Sequence, residues 1–195
     1  MALLNNRQIA QRAIAGMITP YENRLIRQID DDQRVISFGT SSFGYDIRLS
    51  PKEFQIFRHI PGTVIDPKNF NPANLEPAAL HEDANGRYFI LPGHSYGLGV
   101  ALERLNVPND ISVLCVGKST YARVGLIANL TPAEAGWRGH LTLEFSNSSP
   151  SDCRIYANEG VVQLLFFEGE PSSVSYEDRQ GKYQDQPEAI VAARA

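Results

Sequence analysis

Between Val116 and Asn147 (VGKSTYARVGLIANLTPAEAGWRGHLTLEFSN) the spacing of apolar and polar positions predicts a short helix, a β-run, a Pro- and Gly-bearing connector and a second β-run. Ser119 is the predicted N-cap, Thr120 to Val124 are the helical residues and Gly125 is the left-handed stop. Ser119 and Arg123 then share a face. In the second β-run His140, Thr142, Glu144 and Ser146 alternate with Leu141, Leu143 and Phe145, so a period of two puts the polar set on one side and the apolar set on the other. Glu144 therefore looks into something polar.

Upstream, Asn5 or Asn6 caps a predicted helix that carries Ile9, Ala13, Ile14 and Met17 on one side, with Gly16 near its end and Pro20 beyond. From Arg34 onward short β-runs bounded by turn residues take over, at 34–38, 45–49, 54–57, 63–65, 88–91, 95–102 and 111–116, and after the central stretch at 153–156 and 161–167. Residues 66–85 contain three prolines and no period, which predicts a long surface loop with a helical turn near Pro77 to His81. About ten short strands and one substantial helix predict a β-sandwich or jelly-roll-like barrel. Val174 to Ala195 is a polar tail with an Ala-rich end, which either orders over a bound ligand or frays.

Composition narrows the functional classes. With 195 residues, 43% of them hydrophobic, the chain suits one core and a single domain, 1–195. A net charge of −4 without any basic run gives no footprint for nucleic acid, yet leaves room for a free anionic nucleotide. No apolar run approaches the ~20 residues of a membrane span and no secretion pattern opens the chain, so the expectation is a soluble cytoplasmic protein with no membrane partner. Cys115 and Cys153 read as buried thiols, and the four His lack ligand spacing, so no protein-held zinc is expected.

Two readings stand for each candidate residue. Lys118, Ser119 and Thr120 at the start of the short helix either cradle a phosphate or form an ordinary capped turn. Glu144 is either solvated or a proton-transferring group in a cleft. Arg123 is a surface residue or a fixed cation, and Asp46 is structural, pairing with a nearby Arg or capping a turn. Trp137 between Gly136 and Gly139 reads as a packed corner. His140, on the face of Glu144, reads as satisfied by a neighbour.

GKSTYAR (Gly117 to Arg123), TLEFSN (Thr142 to Asn147), IYANEGVVQLLFFE (Ile155 to Glu168) and SYEDRQGKYQDQ in the tail, with SSFGYDIRL (Ser41 to Leu49) and VIDPKNF (Val64 to Phe70) upstream, closely resemble the dCTP deaminases, relatives of the trimeric dUTPases. The resemblance covers nearly the whole chain. It implies a distorted jelly-roll-like β-barrel of the dUTPase type with an N-terminal helix and few short helices. It also implies a homotrimer with active sites shared between subunits, and hydrolysis of dCTP to dUTP and ammonia that supplies dUTP for dUMP and dTTP biosynthesis. Glu144 is implied as the proton-transferring carboxylate, with Ser119 and Arg123 holding the water and the reacting base. Nucleotide contacts are implied at Lys118, Ser119, Thr120, Tyr121, Ala122, Arg123, Thr142, Leu143, Glu144 and Gln163, and at Tyr176, Lys182 and Gln186 in a tail (174–195) that closes over the site. Mg2+ is implied to ride on the triphosphate, and dTTP to act as a feedback inhibitor.

The zinc-dependent base deaminases need an H-x-E…P-C-x-x-C signature, which this sequence lacks. Pro132-Ala133-Glu134-Ala135-Gly136-Trp137 also lacks the Asp that serves triphosphate hydrolysis in the bifunctional relatives. Deamination alone therefore ranks ahead of a bifunctional enzyme giving dUMP and diphosphate, and a non-catalytic nucleotide-binding trimer ranks third.

Overall fold

In the computed structural model, which describes residues 1–29 and 33–194, β1 (Ala2–Leu3) is followed by the expected helix α1 (Asn6–Ile14). Asn5 caps it: its side chain accepts from the N–H groups of Arg7 and Gln8, and Gln8 Oε1 accepts from the Asn5 N–H at 3.0 Å. Ile9 and Ala13 are buried, and Met17 joins them just past the helix. Ile14, expected on the same side, is 83% exposed, because five residues on from Ile9 it lies about 140° round the helix.

The remaining regular structure is almost all antiparallel strand. In order come β2 (Ile18–Thr19), β3 (Leu25–Ile29), β4 (Gln33–Thr40), β5 (Tyr45–Phe57), β6 (Leu75–Pro77), β7 (His81–Asp83), β8 (Gly86–Leu91), β9 (Tyr96–Asn106) and β10 (Ile111–Gly117). Then come α2 (Ser119–Ala122), β11 (Leu126–Asn129), β12 (Arg138–Asn147), β13 (Cys153–Tyr156) and β14 (Gly160–Glu168). The larger sheet runs β1-β14-β5-β9-β12-β11 with β10, β2, β3, β4 and β6 paired alongside, and it curls into a half-barrel. A second sheet runs β13-β8-β7.

Three expectations change. Residues 45–49 and 54–57 belong to one strand, since β5 follows β9 through a register shift between Leu49 and Phe54. Residues 63–65 form no strand; Val64 is 93% exposed and finds no sheet partner among the described residues. The supposed loop at 66–85 has its helical turn at Pro72–Asn74, capped by Asn71, not at Pro77 to His81, and it contributes β6 to β5 and β7 to β8. β6 reaches back to β5 across the intervening loop, which no local period announces, whereas β7 and β8 form a hairpin closed at Ala84 and Asn85, a local signal hidden in the polar run.

The core gathers on β5, β8, β9, β12 and β14. The Phe54 ring stacks on Phe89 with centroids 5.3 Å apart and tilts against Phe145 at 5.8 Å. On β9, a β-carbon at Gly97 would stand 2.6 Å from the Phe54 ring and one at Gly99 2.6 Å from the Leu49 side chain, so these glycines make room for the rings. Fully buried Glu103 is held by Arg48, whose Nε and backbone N–H donate to it at 2.7 and 2.8 Å. Such a pair is worth little in net stability, but losing one partner alone costs about 3–5 kcal/mol. Cys115 and Cys153 are partly buried free thiols, and burial pushes Cys115 up to about 12. Among the described residues no helix is long and apolar enough to cross a membrane.

Candidate active site

Register decides where Glu144 points. β12 pairs with β9 with a shift between His140 and Thr142, and such an irregularity breaks strict alternation. Leu143 and Phe145 remain fully buried as expected, but Leu141, expected beside them, opens with Thr142 and Glu144 onto one cleft. His140 does not line that cleft; its Nδ1 lies 3.0 Å from the carbonyl oxygen of Ala101.

The cleft encloses about 740 Å³. Tyr96 and Leu98 of β9, Phe57 and Phe70 form an apolar wall, the connector contributes Thr131 to Glu134 and Trp137, and Tyr176, Tyr183, Gln186 and 191–193 enter from the tail. The tail is tied down by groups whose pairing no local pattern predicts. Trp137 Nε1 donates to the Tyr183 carbonyl at 2.8 Å, His140 N to the Gln186 carbonyl at 3.0 Å and Gln186 Nε2 to Thr142 Oγ1 at 2.5 Å. Arg138 pairs with Glu177 and Asp185, and Glu134 pairs with Arg179. Further on, Glu188 meets Ser50 and Lys52.

The Glu144 side chain makes no hydrogen bond or ion pair among the described residues, and burial holds its carboxyl above the ordinary value. Burial, and after it the charge of Glu144, also raises the Tyr96 phenol. An unpaired carboxylate with a raised pKa on the wall of a largely apolar cleft is suited to accept and return a proton.

The remaining expected residues lie apart from this cleft. Lys118, and not Ser119, is the N-cap of α2, and its side chain makes no capping bond. It turns instead to the carboxylate of Asp46 and, at 3.1 Å, to Ser37 Oγ. Asp46 thus pairs with a lysine, not with an arginine or a turn. Gln163 donates to Asp46 Oδ1 at 3.2 Å and to Ser41 Oγ at 3.4 Å. Gly125, with φ +84°, ends the helical segment as expected.

Ser119, Thr120, Ala122 and Arg123 are exposed and line no part of the Glu144 cleft. Thr120 instead borders a smaller hollow of about 470 Å³ with Arg27, Arg34, Ser37 and Glu159. Tyr121 belongs to the core, its hydroxyl accepting from the Tyr156 N–H at 2.9 Å. Lys182 donates to the Arg194 carbonyl at 2.9 Å and does not reach the cleft. The expected residues therefore fall into two groups within one chain. Thr142, Glu144, Tyr176 and Gln186 surround the cleft, with the fully buried side chain of Leu143 turned to the core beneath them, while Lys118 to Arg123 and Gln163 stand at β10, α2 and β14.

Around α2 an apolar surface stays uncovered: Leu114, Val116, Val124 and Ile127 are each at least 42% exposed. Tyr96, Thr131, Leu141 and Tyr183 line the cleft without having been singled out in the sequence. Tyr183 alone carried a signal, its place inside the tail motif. Among the described residues no group of three or more His, Cys, Asp or Glu is placed to hold a metal ion.

A family profile described as dCTP deaminase-like matches residues 3–169. A dCTP deaminase from Halorhodospira halophila is 50% identical over 172 residues, covering 88% of this chain and 87% of that protein. One from Xanthomonas oryzae pv. oryzae is 47% identical over 188 residues, covering 95% and 96%. Among solved structures, a 2'-deoxycytidine 5'-triphosphate deaminase from Agrobacterium tumefaciens superposes with a TM-score of 0.57 at 16% identity, over 86% of this chain and 48% of that one. This last likeness concerns the fold alone.

Proposed function

We propose, for a chain that belongs to the dCTP deaminase-like family and is an enzyme of that family, that it hydrolyses the 4-amino group of dCTP to give dUTP and ammonia. The observation that carries this reading is Glu144, a partly buried carboxylate with a raised pKa and no partner among the described residues, on the wall of a cleft large enough for a nucleoside. Glu144 takes a proton from water as the oxygen bonds to C4 of cytosine, and delivers it to N3, so the tetrahedral intermediate carries no net charge on the ring. The C4 hydroxyl then yields its proton, through the same carboxylate, to the amino nitrogen. The C4–N bond breaks, ammonia departs and a carbonyl remains.

Ser119 and Arg123 are assigned to the water and the base, and Lys118, Thr120 and Gln163 to the nucleotide. Their separation from the Glu144 cleft within one chain supports a site completed by a neighbouring subunit. The uncovered apolar residues Leu114, Val116, Val124 and Ile127 beside α2 are suited to the contact. A closed ring of three subunits repeats that head-to-tail junction three times. The hollow that Thr120 shares with Arg27 and Arg34 has the charge for a triphosphate end. Magnesium is assigned to the triphosphate itself, with Lys118 and those arginines neutralising the remaining charge. Tyr176 and Gln186 close the base end from the tail.

Incubation of the protein with dCTP and magnesium, followed by separation of the nucleotides, tests the reading. Equimolar dUTP and ammonia are expected. Ammonia with dUMP and diphosphate would replace it with the bifunctional reaction, and binding without turnover would reject catalysis.

A further inference from the structure

We propose that Asp46 is a positioning residue for nucleotide binding, acting through Lys118 and Gln163; the proposal rests on the reading of those two residues given above. Asp46 lies on β5 opposite Gln163 of β14 and is 3% exposed. One carboxylate oxygen accepts from the Lys118 ammonium, the other from Gln163 Nε2 at 3.2 Å. The ion pair is buried on both sides, with side-chain exposures of 10% for Lys118 and 4% for Asp46.

Chemistry makes this a directional device. A carboxylate only accepts, so the amide that faces it must present nitrogen, and the second N–H of that nitrogen is taken by Ser41 Oγ. Gln163 is thereby left with its carbonyl oxygen free among the described residues. The Lys118 ammonium has three N–H groups and gives two of them to Asp46 and Ser37. One buried carboxylate thus fixes an acceptor and a cationic donor together, a combination that suits a ligand carrying a hydroxyl and anionic oxygens, as a sugar phosphate does. Without Asp46 the ammonium would be a buried cation with no counter-ion and would turn toward water, and the amide would be free to flip. Neither Lys118 nor Gln163 borders the Glu144 cleft in the same chain, so the effect falls on holding the nucleotide and not on moving the proton.

The test compares the full-length parent with Asp46→Asn, Asp46→Glu, Lys118→Met and the double variant Asp46→Asn/Lys118→Met, measuring kcat, KM for dCTP and Tm. Asp46→Asn is expected to raise KM about tenfold or more while kcat stays within about twofold. Asp46→Glu, which keeps the counter-charge at a changed reach, is expected to fall between the parent and Asp46→Asn, and it carries the comparison if Asp46→Asn does not fold. The double variant leaves no ion unpaired, and its KM is expected to fall about fivefold or more short of the product of the two single rises. KM rises that multiply, a loss confined to kcat, or an unchanged KM in both folded Asp46 variants would overturn the assignment to Asp46 while leaving deamination standing. A parent that does not turn over dCTP would overturn both.

Discussion

Gln186 lies so close to Gly139 that a β-carbon on the glycine would stand 2.6 Å from the Gln186 backbone nitrogen and 2.8 Å from its oxygen. The glycine also adopts φ +140°, which side chains disfavour. One residue thus sets both the bend into β12 and the seat of the tail. Gly139→Ala should push Gln186 off Thr142 and lower kcat/KM on the order of 10–100-fold, because displacement of a positioning group by about 1 Å has consequences of that size. Limited proteolysis should then cut the tail faster than in the parent. An unchanged rate together with an unchanged digestion pattern would show that the tail adapts to the methyl group.

Glu144→Gln should lose on the order of 10²–10⁴ in kcat while still binding dCTP, since the amide cannot relay the proton. It should also gain stability at neutral pH. Burial raises the folded-state pKa of Glu144 above its ordinary value, so the parent is fully stable with respect to this group below the unfolded pKa and loses stability as pH rises through the raised folded pKa. The Tm advantage of Glu144→Gln is accordingly expected at pH 7 and should vanish toward pH 4. The acid limb of the parent's pH–rate profile should sit above the usual carboxylate range, because the working form is the anion. Equal Tm for the two proteins across this range would mean that the carboxylate suffers no burial penalty.

These expectations rest on features of uneven legibility. The short β-runs were readable because turn residues bracket them, and 153–156 coincides with β13. The helix cap was readable to within one residue, Asn5 or Asn6, for a cap is a local pattern, and the structure takes Asn5. What local pattern does not contain is partner and register. The shift that turns Leu141 into the cleft depends on how β12 meets β9, and the pairing of β6 depends on strand β5. Asp46 and Lys118 are far apart in sequence, so their pairing emerges only with the fold. Glu144 was legible because a carboxylate between apolar strand residues is conspicuous; that its side chain has no partner among the described residues was not.

Mixing subunits tests the shared site. In the proposed ring of three subunits, the Glu144→Gln and Arg123→Ala proteins should each be nearly inactive. Equal amounts refolded together form a random population in which about three-quarters of the rings are mixed, each mixed ring restoring one junction in three, so activity should return to about a quarter of the parent level. Mixtures that stay inactive after proven subunit exchange would place both residues in one subunit.

Removing residues 174–195 should leave the barrel folded but cost about 1–3 kcal/mol, since the buried Trp137 indole loses the Tyr183 carbonyl as acceptor. Turnover should fall on the order of 100-fold as Tyr176 and Gln186 leave the cleft. Trp137 is the sole tryptophan, so its fluorescence should shift to the red in the truncated protein. Unshifted emission with full activity would reduce the tail to an accessory.

The pairing of β1 with β14 bears on biosynthesis. Ala2 and Leu3 pair with Glu168 and Phe167, the Leu4 N–H donates to Phe166 at 2.9 Å, and Arg12 reaches Glu168 across a separation of 156 residues. At about 5–20 residues per second, translation leaves these N-terminal residues without their partners for roughly ten seconds or more. Throughout that interval β1 is an unpaired edge on a nascent chain whose closing strand has not been made. A ribosome stalled between β13 and β14 therefore holds β1, β5 and β10 with the edges that β14 covers still open, and slow decoding there should raise aggregation and chaperone demand rather than give the barrel time to close.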